Sequence, residues 1–324
     1  MIHRLFSVLA ATLLLCLRPC SADAEQPKRM YRIGALNEAW APDHPAVEGL
    51  KAGLKELGLA EGRDVSFDIR FTEGDQRAMP GAAAALVKAR VDLIFTSGEP
   101  AAQAARAATQ TIPIVFTLVG DPVATGVVKE IAHPGGNITG VSGLTTELVP
   151  KRLETLKALA PTIRRVRIIY YPDDPSSLAI VRKAQEAGPL LKLEIAAVPV
   201  RTPEELSRAL KAVRAGEGLL PPPTAVLDIP AQMLETSLAA RVPTVFESTF
   251  WVGFGALASY GSDFYAQGFQ AARLVAKILR GARPQDLPVE GANRIELAVN
   301  LKTARRLGLT IPREILLRAD KVIQ

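Results

Sequence analysis

The sequence predicts an α/β protein built as two similar halves, and three observations support that reading. Short apolar runs of strand length alternate with runs of helical length over most of the chain, a rhythm that implies parallel sheets covered by helices on both faces. The rhythm runs to residue 142 or so and starts afresh after residue 150. The final quarter breaks it, with strands and one long helix placed where the chain can pass between the halves.

The first half opens with an apolar strand at 31–36 and an amphipathic helix over 46–57. Val65, Phe67, Ile69 and Phe71 alternate with polar residues, the period of a half-exposed strand at 65–71. An alanine-rich helix (81–88), a buried-type strand (91–96), a helix from Pro100 and a strand at 114–118 follow. Pro134-Gly135-Gly136-Asn137 then leads into a strand at 138–141.

After a helix at 151–159, the second half reads strand 166–171, helix 177–187, strand 193–200 and helix 203–213. Thr202 is placed to cap the last of these, and Pro203 suits its first turn. Residues 216–223 hold three consecutive prolines and read as a loop, whereas 225–229 and 242–246 read as strands around a short helix at 231–240. Strand 255–260, helix 263–279, strand 294–299 and a short helix from Leu301 complete the order. The expectation is two Rossmann-like lobes joined by a multi-strand hinge, with 29–143 plus 262–284 in the first and 144–261 plus 285–324 in the second. Such a hinge lets lobes close over a ligand.

The N-terminus carries an export pattern. His3 and Arg4 precede an apolar run at 5–17, and Ser21-Ala22-Asp23-Ala24 ends in Ala-x-Ala, so residues 1–24 read as a signal peptide cleaved after Ala24. The run falls short of the ~20 apolar residues a membrane span needs. Export to the periplasm is the expected fate. A lipid anchor on Cys20 is the weaker alternative, since Arg18 and Pro19 stand where small residues are wanted. Both cysteines, Cys16 and Cys20, leave with this segment, so the mature chain is expected to hold no disulfide and no cysteine metal site.

Charge and motif content exclude several classes. The net charge of +6 becomes +5 when Arg4, Arg18 and Asp23 depart, and the lysines and arginines form no stripe of the kind a nucleic acid requires. The histidines are His3 in the signal and His44 and His133 beside prolines, the last two read as solvated turn residues. No Gly-x-Ser-x-Gly elbow, zinc spacing or phosphate loop occurs, and Gly135-Gly136 precedes a strand instead of opening a helix. An enzyme is therefore the poorer reading, and no cofactor or metal is expected.

Several segments together resemble one family. Gly49-Leu50-Lys51-Ala52-Gly53-Leu54-Lys55-Glu56-Leu57-Gly58 with Glu61-Gly62-Arg63-Asp64-Val65 is similar to the first helix and next strand of the tryptophan/tyrosine-type ABC transporter substrate-binding proteins. The stretches 112–116, 120–126 and 134–140, then Ser259-Tyr260-Gly261, Leu287-Pro288-Val289-Glu290, Asn300-Leu301-Lys302-Thr303-Ala304 and 307–312, follow in family order over nearly all the mature chain. The resemblance implies a type I periplasmic binding fold with three crossing strands. It further implies solute capture for the permease and ATPase subunits of an importer, with amino acids, often aromatic, as ligands. A monomer is expected, since one solute is clamped within one chain. An exported sensor of the same fold, signalling to a membrane receptor without transport, stays open as an alternative.

Ligands of open parallel sheets sit beyond the carboxyl ends of the strands. That rule selects Asn37 and Trp40, then Ser97, Gly98 and Glu99, then Asp121 in the first half. In the second it selects Tyr171 and Ser176, Asp228 and Glu247, with Tyr260 and Asp263 near the crossing. Ser97 and Gly98 ahead of a helix form a cradle for a carboxylate or similar polar end. Glu99 departs from the small or hydroxyl residues usual at that place in the family. It is either a ligand for an ammonium group or a carboxylate that simply suits a first helical turn. Asp121 pairs with an amine or completes a Gly-Asp-Pro turn. Trp40, Phe250 and Trp251 offer stacking surfaces for a planar ligand or serve as ordinary loop and core aromatics. From Asp228 to Pro243 the chain is shorter than the family leads one to expect, so contacts that family members make from that region are expected to be missing or replaced.

Overall fold

The inner strands of the first half, Leu93–Ser97, Ile114–Val119 and Ile138–Ser142, are buried on both faces and read as short apolar runs, whereas Val65–Phe71 and Glu194–Pro199 are only partly buried. The computed structural model describes residues 30–38, 42–224 and 226–324. The expected signal segment with Cys16 and Cys20, and the ligand candidate Trp40, lie outside the described residues.

In chain order the first elements are β1 (Tyr31–Asn37), α1 (Pro45–Glu56), β2 (Val65–Phe71), α2 (Met79–Lys88), β3 (Leu93–Ser97), α3 (Glu99–Ala108), β4 (Ile114–Val119) and β5 (Ile138–Ser142). Next come α4 (Val149–Leu159), β6 (Arg165–Tyr170), α5 (Pro175–Ala187), β7 (Glu194–Pro199), α6 (Pro203–Lys211), β8 (Glu217–Leu219), α7 (Ile229–Ala240) and β9 (Val245–Phe246). The chain ends with α8 (Thr249–Gly253), β10 (Ala258–Ser262), α9 (Phe264–Leu279), β11 (Glu290–Gly291), β12 (Ile295–Asn300), α10 (Leu301–Leu307), α11 (Arg313–Arg318) and β13 (Lys321–Ile323).

Six parallel strands form the first sheet in the order β11-β5-β4-β3-β1-β2. Ile33, Ala35, Leu93 and Phe95 face α1 and α9 on one side, while Leu36, Ile94 and Phe116 face α2 and α3 on the other. Helices α1 and α9 touch backbone to backbone. A Cβ on Gly49 would fall onto the Tyr265 carbonyl, and one on Gly268 onto the Ala46 carbonyl, so only glycine permits the approach.

The second half holds the parallel sheet β7-β6-β8 and the mixed sheet β13-β12-β10-β9. A parallel bridge between Leu219 and Thr244 brings their edges together. Within this half, Arg167 reaches Glu217 through a buried fork of 2.9 and 3.0 Å, which ties β6 to β8. The main core here gathers Leu153, Leu156, Ile168, Ile180 and Val299 from α4, β6, α5 and β12.

Among the described residues the chain crosses three times between the six-stranded sheet and the second half, at 143–148, at 263 and at 292–294. The crossings are laced together. Ser262 Oγ donates to the Gly143 carbonyl at 3.1 Å, and buried Gln267 donates to Ser262 Oγ at 2.7 Å while accepting from Leu118 N–H at 3.1 Å. Among the described residues no helix is long and apolar enough to cross a membrane.

Four expectations need correction. No strand occupies 226–229: Val226–Asp228 is a 3₁₀ turn in which Leu227 and Asp228 have φ of 55° and 51°. The strand beside β6 is instead β8, inside the segment read as a loop, where Glu217 meets Arg167 before the three prolines end the pairing. The strand expected at 242–246 shrinks to Val245–Phe246. The stretch assigned to the second half from residue 285 stays with the first sheet as far as β11, which pairs with β5, and crosses only afterwards.

Candidate functional site

A cavity of about 530 Å³ opens between the carboxyl ends of the two sets of parallel strands. Each wall is built by the turn that follows a strand: Glu38 after β1, Gly98 and Glu99 after β3, Gly120 after β4, Tyr171 and Asp174 after β6, and Glu247 after β9. This placement is a consequence of parallel topology, which delivers every strand end and helix start to one edge.

At the first wall, Gly98 has φ +100° and caps α3, with Glu99 in its opening turn. A Cβ on Gly98 would meet Glu38 Oε1 at 3.6 Å. The Glu38 carboxylate therefore stands over the glycine cradle that the sequence assigned to an anion, and Glu99 follows that glycine in the chain. Glu99 receives the Ser176 hydroxyl at 2.6 Å and the Gln103 amide at 3.0 Å. Burial pushes its carboxyl up to about 7; the Ser176 bond opposes that shift, and Asp174, Glu38 and Asp121 add to it. Burial likewise raises Glu38, against a hydrogen bond from Gln76.

On the opposite wall Asp174 caps α5, accepting from Ser176 N–H at 3.0 Å and from Ser177 Oγ at 2.6 Å. Asp228 is raised by partial burial and then by Glu235. Glu247 accepts from the Trp251 indole at 3.2 Å, while its Oε2 is buried without a hydrogen-bond partner. Burial raises Glu247, opposed by the nearby Arg152. That arginine is 1 % exposed, donates to the Thr145 carbonyl at 2.5 Å and leaves Nε and Nη1 unpartnered. Burial lowers it to about 10, against Glu247 and Glu147.

Of the residues selected from sequence, Gly98, Glu99, Tyr171, Ser176, Asp228 and Glu247 line the cavity. Asn37 and Ser97 end β1 and β3 beneath it, both buried. Asp121, Tyr260 and Asp263 do not line it. Asp121 accepts from Ala124 N–H at 2.9 Å, Tyr260 packs on the second core, and Asp263 caps α9 through Ala266 N–H at 2.6 Å. Trp251 lines the cavity, whereas Phe250 is exposed outside it. Sequence reasoning missed Gln76, Gln103, Thr145, Thr224 and Arg152. Gln103 was findable, lying one helical turn beyond Glu99; the others sit on turns or a buried helix face with no periodic signal.

Two α/β halves, three crossings and a cavity at the strand ends define the type I periplasmic binding architecture, and the fold is shared with an arabinose binding protein from Geobacillus stearothermophilus (TM-score 0.60, 12 % identity, 87 % of this chain and all of that one). Residues 43–323 match the model of the ABC transporter substrate binding protein family. The chain belongs to that family: it is a substrate-binding component of an ABC transporter and not an enzyme. It is 28 % identical over 273 residues to the tyrosine-binding protein of Clostridioides difficile, covering 82 % of this chain and 79 % of that protein. An ABC domain from Streptococcus pneumonia in complex with L-Trp matches with a TM-score of 0.79 and 26 % identity, over 91 % of this chain and all of that one. The ligand-free, open structure of a substrate binding protein with adhesive properties from Clostridium difficile matches over the same shares at 26 % identity, with a TM-score of 0.71.

Proposed function

We propose that this chain is exported to the periplasm, captures a small molecule bearing an ammonium group, and delivers it to the permease and ATPase subunits of an importer. Amino acids are the first ligands to consider, because the relatives include a tyrosine-binding protein and an L-Trp complex. The observation that carries the reading is the cavity itself, with Glu99, Ser176, Asp228 and Glu247 around it and the flat side chains of Tyr171 and Trp251 in its wall. Gly98, Glu99, Tyr171, Ser176, Asp228 and Glu247 are the proposed contacts. The moving bodies are the lobe of 29–143 plus 262–284 and the lobe of 144–261 plus 285–324, with β11 riding on the first. Closure rotates the lobes about the three crossings and brings the two walls onto the solute. One protein molecule holds one solute.

The test is a thermal-shift screen of the exported protein against amino acids and amines, followed by calorimetry on each hit. A ligand at 100 times its dissociation constant adds about 2.7 kcal/mol of stability. Saturable one-to-one binding without turnover supports the reading, and conversion of the bound molecule overturns it.

A further inference from the structure

We infer that the solute is a small organic cation, a molecule with at least two positively charged nitrogens and no more than one carboxylate, held by the carboxylates of the cavity wall. The inference rests on the solute-binding reading above and specifies its substrate class.

The wall contains six carboxylates, Glu38, Glu99, Asp173, Asp174, Asp228 and Glu247, and no lysine, arginine or histidine among the described residues that line it. The whole chain nevertheless carries a net charge of +6, so the acidity belongs to the cavity and not to the protein at large. Two of the six face a cation: Asp173 meets Arg201 at 3.2 Å, and Glu247 feels Arg152. The other four make no ion pair among the described residues. Arg152 does not serve a ligand carboxylate either, because it is sealed from the cavity and the wall there presents Thr145 and Glu247.

Glu247 lines the cavity with its Oε1 on the Trp251 indole at 3.2 Å, while its Oε2 is buried and the sealed Arg152 is its nearby cation. At the opposite wall, the glycine cradle that suits an anion is covered by Glu38, with Glu99 near it, and two carboxylates there repel a carboxylate and attract an amine. Trp251 and Tyr171 line the same cavity, and aromatic rings stabilise a cation as well. A zwitterion with a neutral side chain satisfies one acidic site and brings its own carboxylate against the rest.

Three pairs of compounds differing only in a carboxylate test the assignment by calorimetry on the exported protein: lysine with cadaverine, arginine with agmatine, and tyrosine with tyramine. Tryptophan and glutamate complete the panel. Expected is binding of at least one of lysine, cadaverine, arginine and agmatine more than about tenfold tighter than tyrosine or tryptophan, with affinity falling as salt rises. Within the lysine and arginine pairs, tighter binding of the decarboxylated partner identifies an amine as the solute, and the reverse identifies a basic amino acid; tightest binding of tyramine, with its single charge, overturns the requirement for two positive nitrogens. Glu99→Gln with Asp228→Asn, checked for folding by circular dichroism, should weaken the best cation by about tenfold or more. Tightest binding of tyrosine, tryptophan or glutamate overturns the charge assignment and leaves the solute-binding reading intact. If no compound of the panel or the wider screen binds, both fail.

Discussion

Ser176 donates its hydroxyl to the Glu99 carboxylate at 2.6 Å, and the two residues open helices that pack on different sheets. Helix α3 belongs to the core of the first sheet and α5 to that of the second, so this bond spans the cavity and holds its walls together. A short bond to a carboxylate is worth about 1.5–3 kcal/mol where water is largely excluded. Ser176→Ala removes the donor and leaves only Gln103 on Glu99. The substituted protein, without ligand, is expected to have a larger radius of gyration in X-ray scattering than the parent. An identical scattering curve for the two would show that the bond does not hold the walls.

The same carboxylate makes stability depend on pH in a direction opposite to the usual one. Burial raises Glu99 to about 7, so the folded chain holds its proton more tightly than the unfolded chain. The stabilisation from the neutral form is fully present below the unfolded value near 4.5 and is lost as pH rises through about 7. Glu38, Asp121 and Asp174 surround the group and favour its neutral form. Glu99→Gln is therefore expected to flatten the fall in melting temperature of the ligand-free protein between about pH 5 and pH 8. A parallel fall in both proteins would place the titration elsewhere.

Most of the architecture was legible because its signal is periodic. Buried parallel strands such as Leu93–Ser97 and Ile114–Val119 read as apolar runs, and Thr202 with Pro203 marks a helix start that the structure reproduces through Thr202 accepting from Glu205 N–H. Legibility failed between residues 217 and 229. There the pairing strand is three residues long, its charged member Glu217 is buried because Arg167 meets it, and the apolar stretch after it turns through two left-handed residues. No local pattern encodes a partner fifty residues away. The cavity was legible to the extent that strand ends are: Gly98, Glu99, Tyr171, Ser176 and Glu247 follow from topology. Thr145 and Gln76 lie on turns and Arg152 on the buried face of α4, where only the assembled fold brings them near the site.

His44 was read as a solvated turn residue and is instead a partly buried helix cap. Its Nδ1 accepts from Ala46 N–H at 3.2 Å, and its ring stacks on Phe264 with centroids 6.1 Å apart. Burial lowers its pKa to about 4. Because the unfolded chain binds this proton more readily, the stabilisation is present above about 6.5 and is lost as pH falls through about 4. The loss amounts to no more than roughly 3 kcal/mol. His44→Asn keeps a capping acceptor without the titration, so the difference in urea midpoint between parent and variant should change in the variant's favour across that range. A constant difference would show that His44 stays uncharged by other means or does not cap.

Glycine-to-alanine substitution should change sign between two helices. In α2, Gly81 has open space where a Cβ would go, and Gly81→Ala is expected to stabilise by about 0.5–1 kcal/mol through helix propensity. In α9, Gly268 gains the same propensity, but its new methyl falls onto the Ala46 carbonyl of α1, which is backbone and does not swing aside. Overpacking of this kind costs about 1–3 kcal/mol and outweighs the propensity gain. Gly268 also adjoins Gln267, whose amide joins Leu118 to Ser262 across the crossings, so displacement of α9 is passed to the hinge as well as to the core. Urea denaturation of both variants is the measurement. Stabilisation of Gly268→Ala to the same degree as Gly81→Ala would mean that α1 and α9 do not meet backbone to backbone.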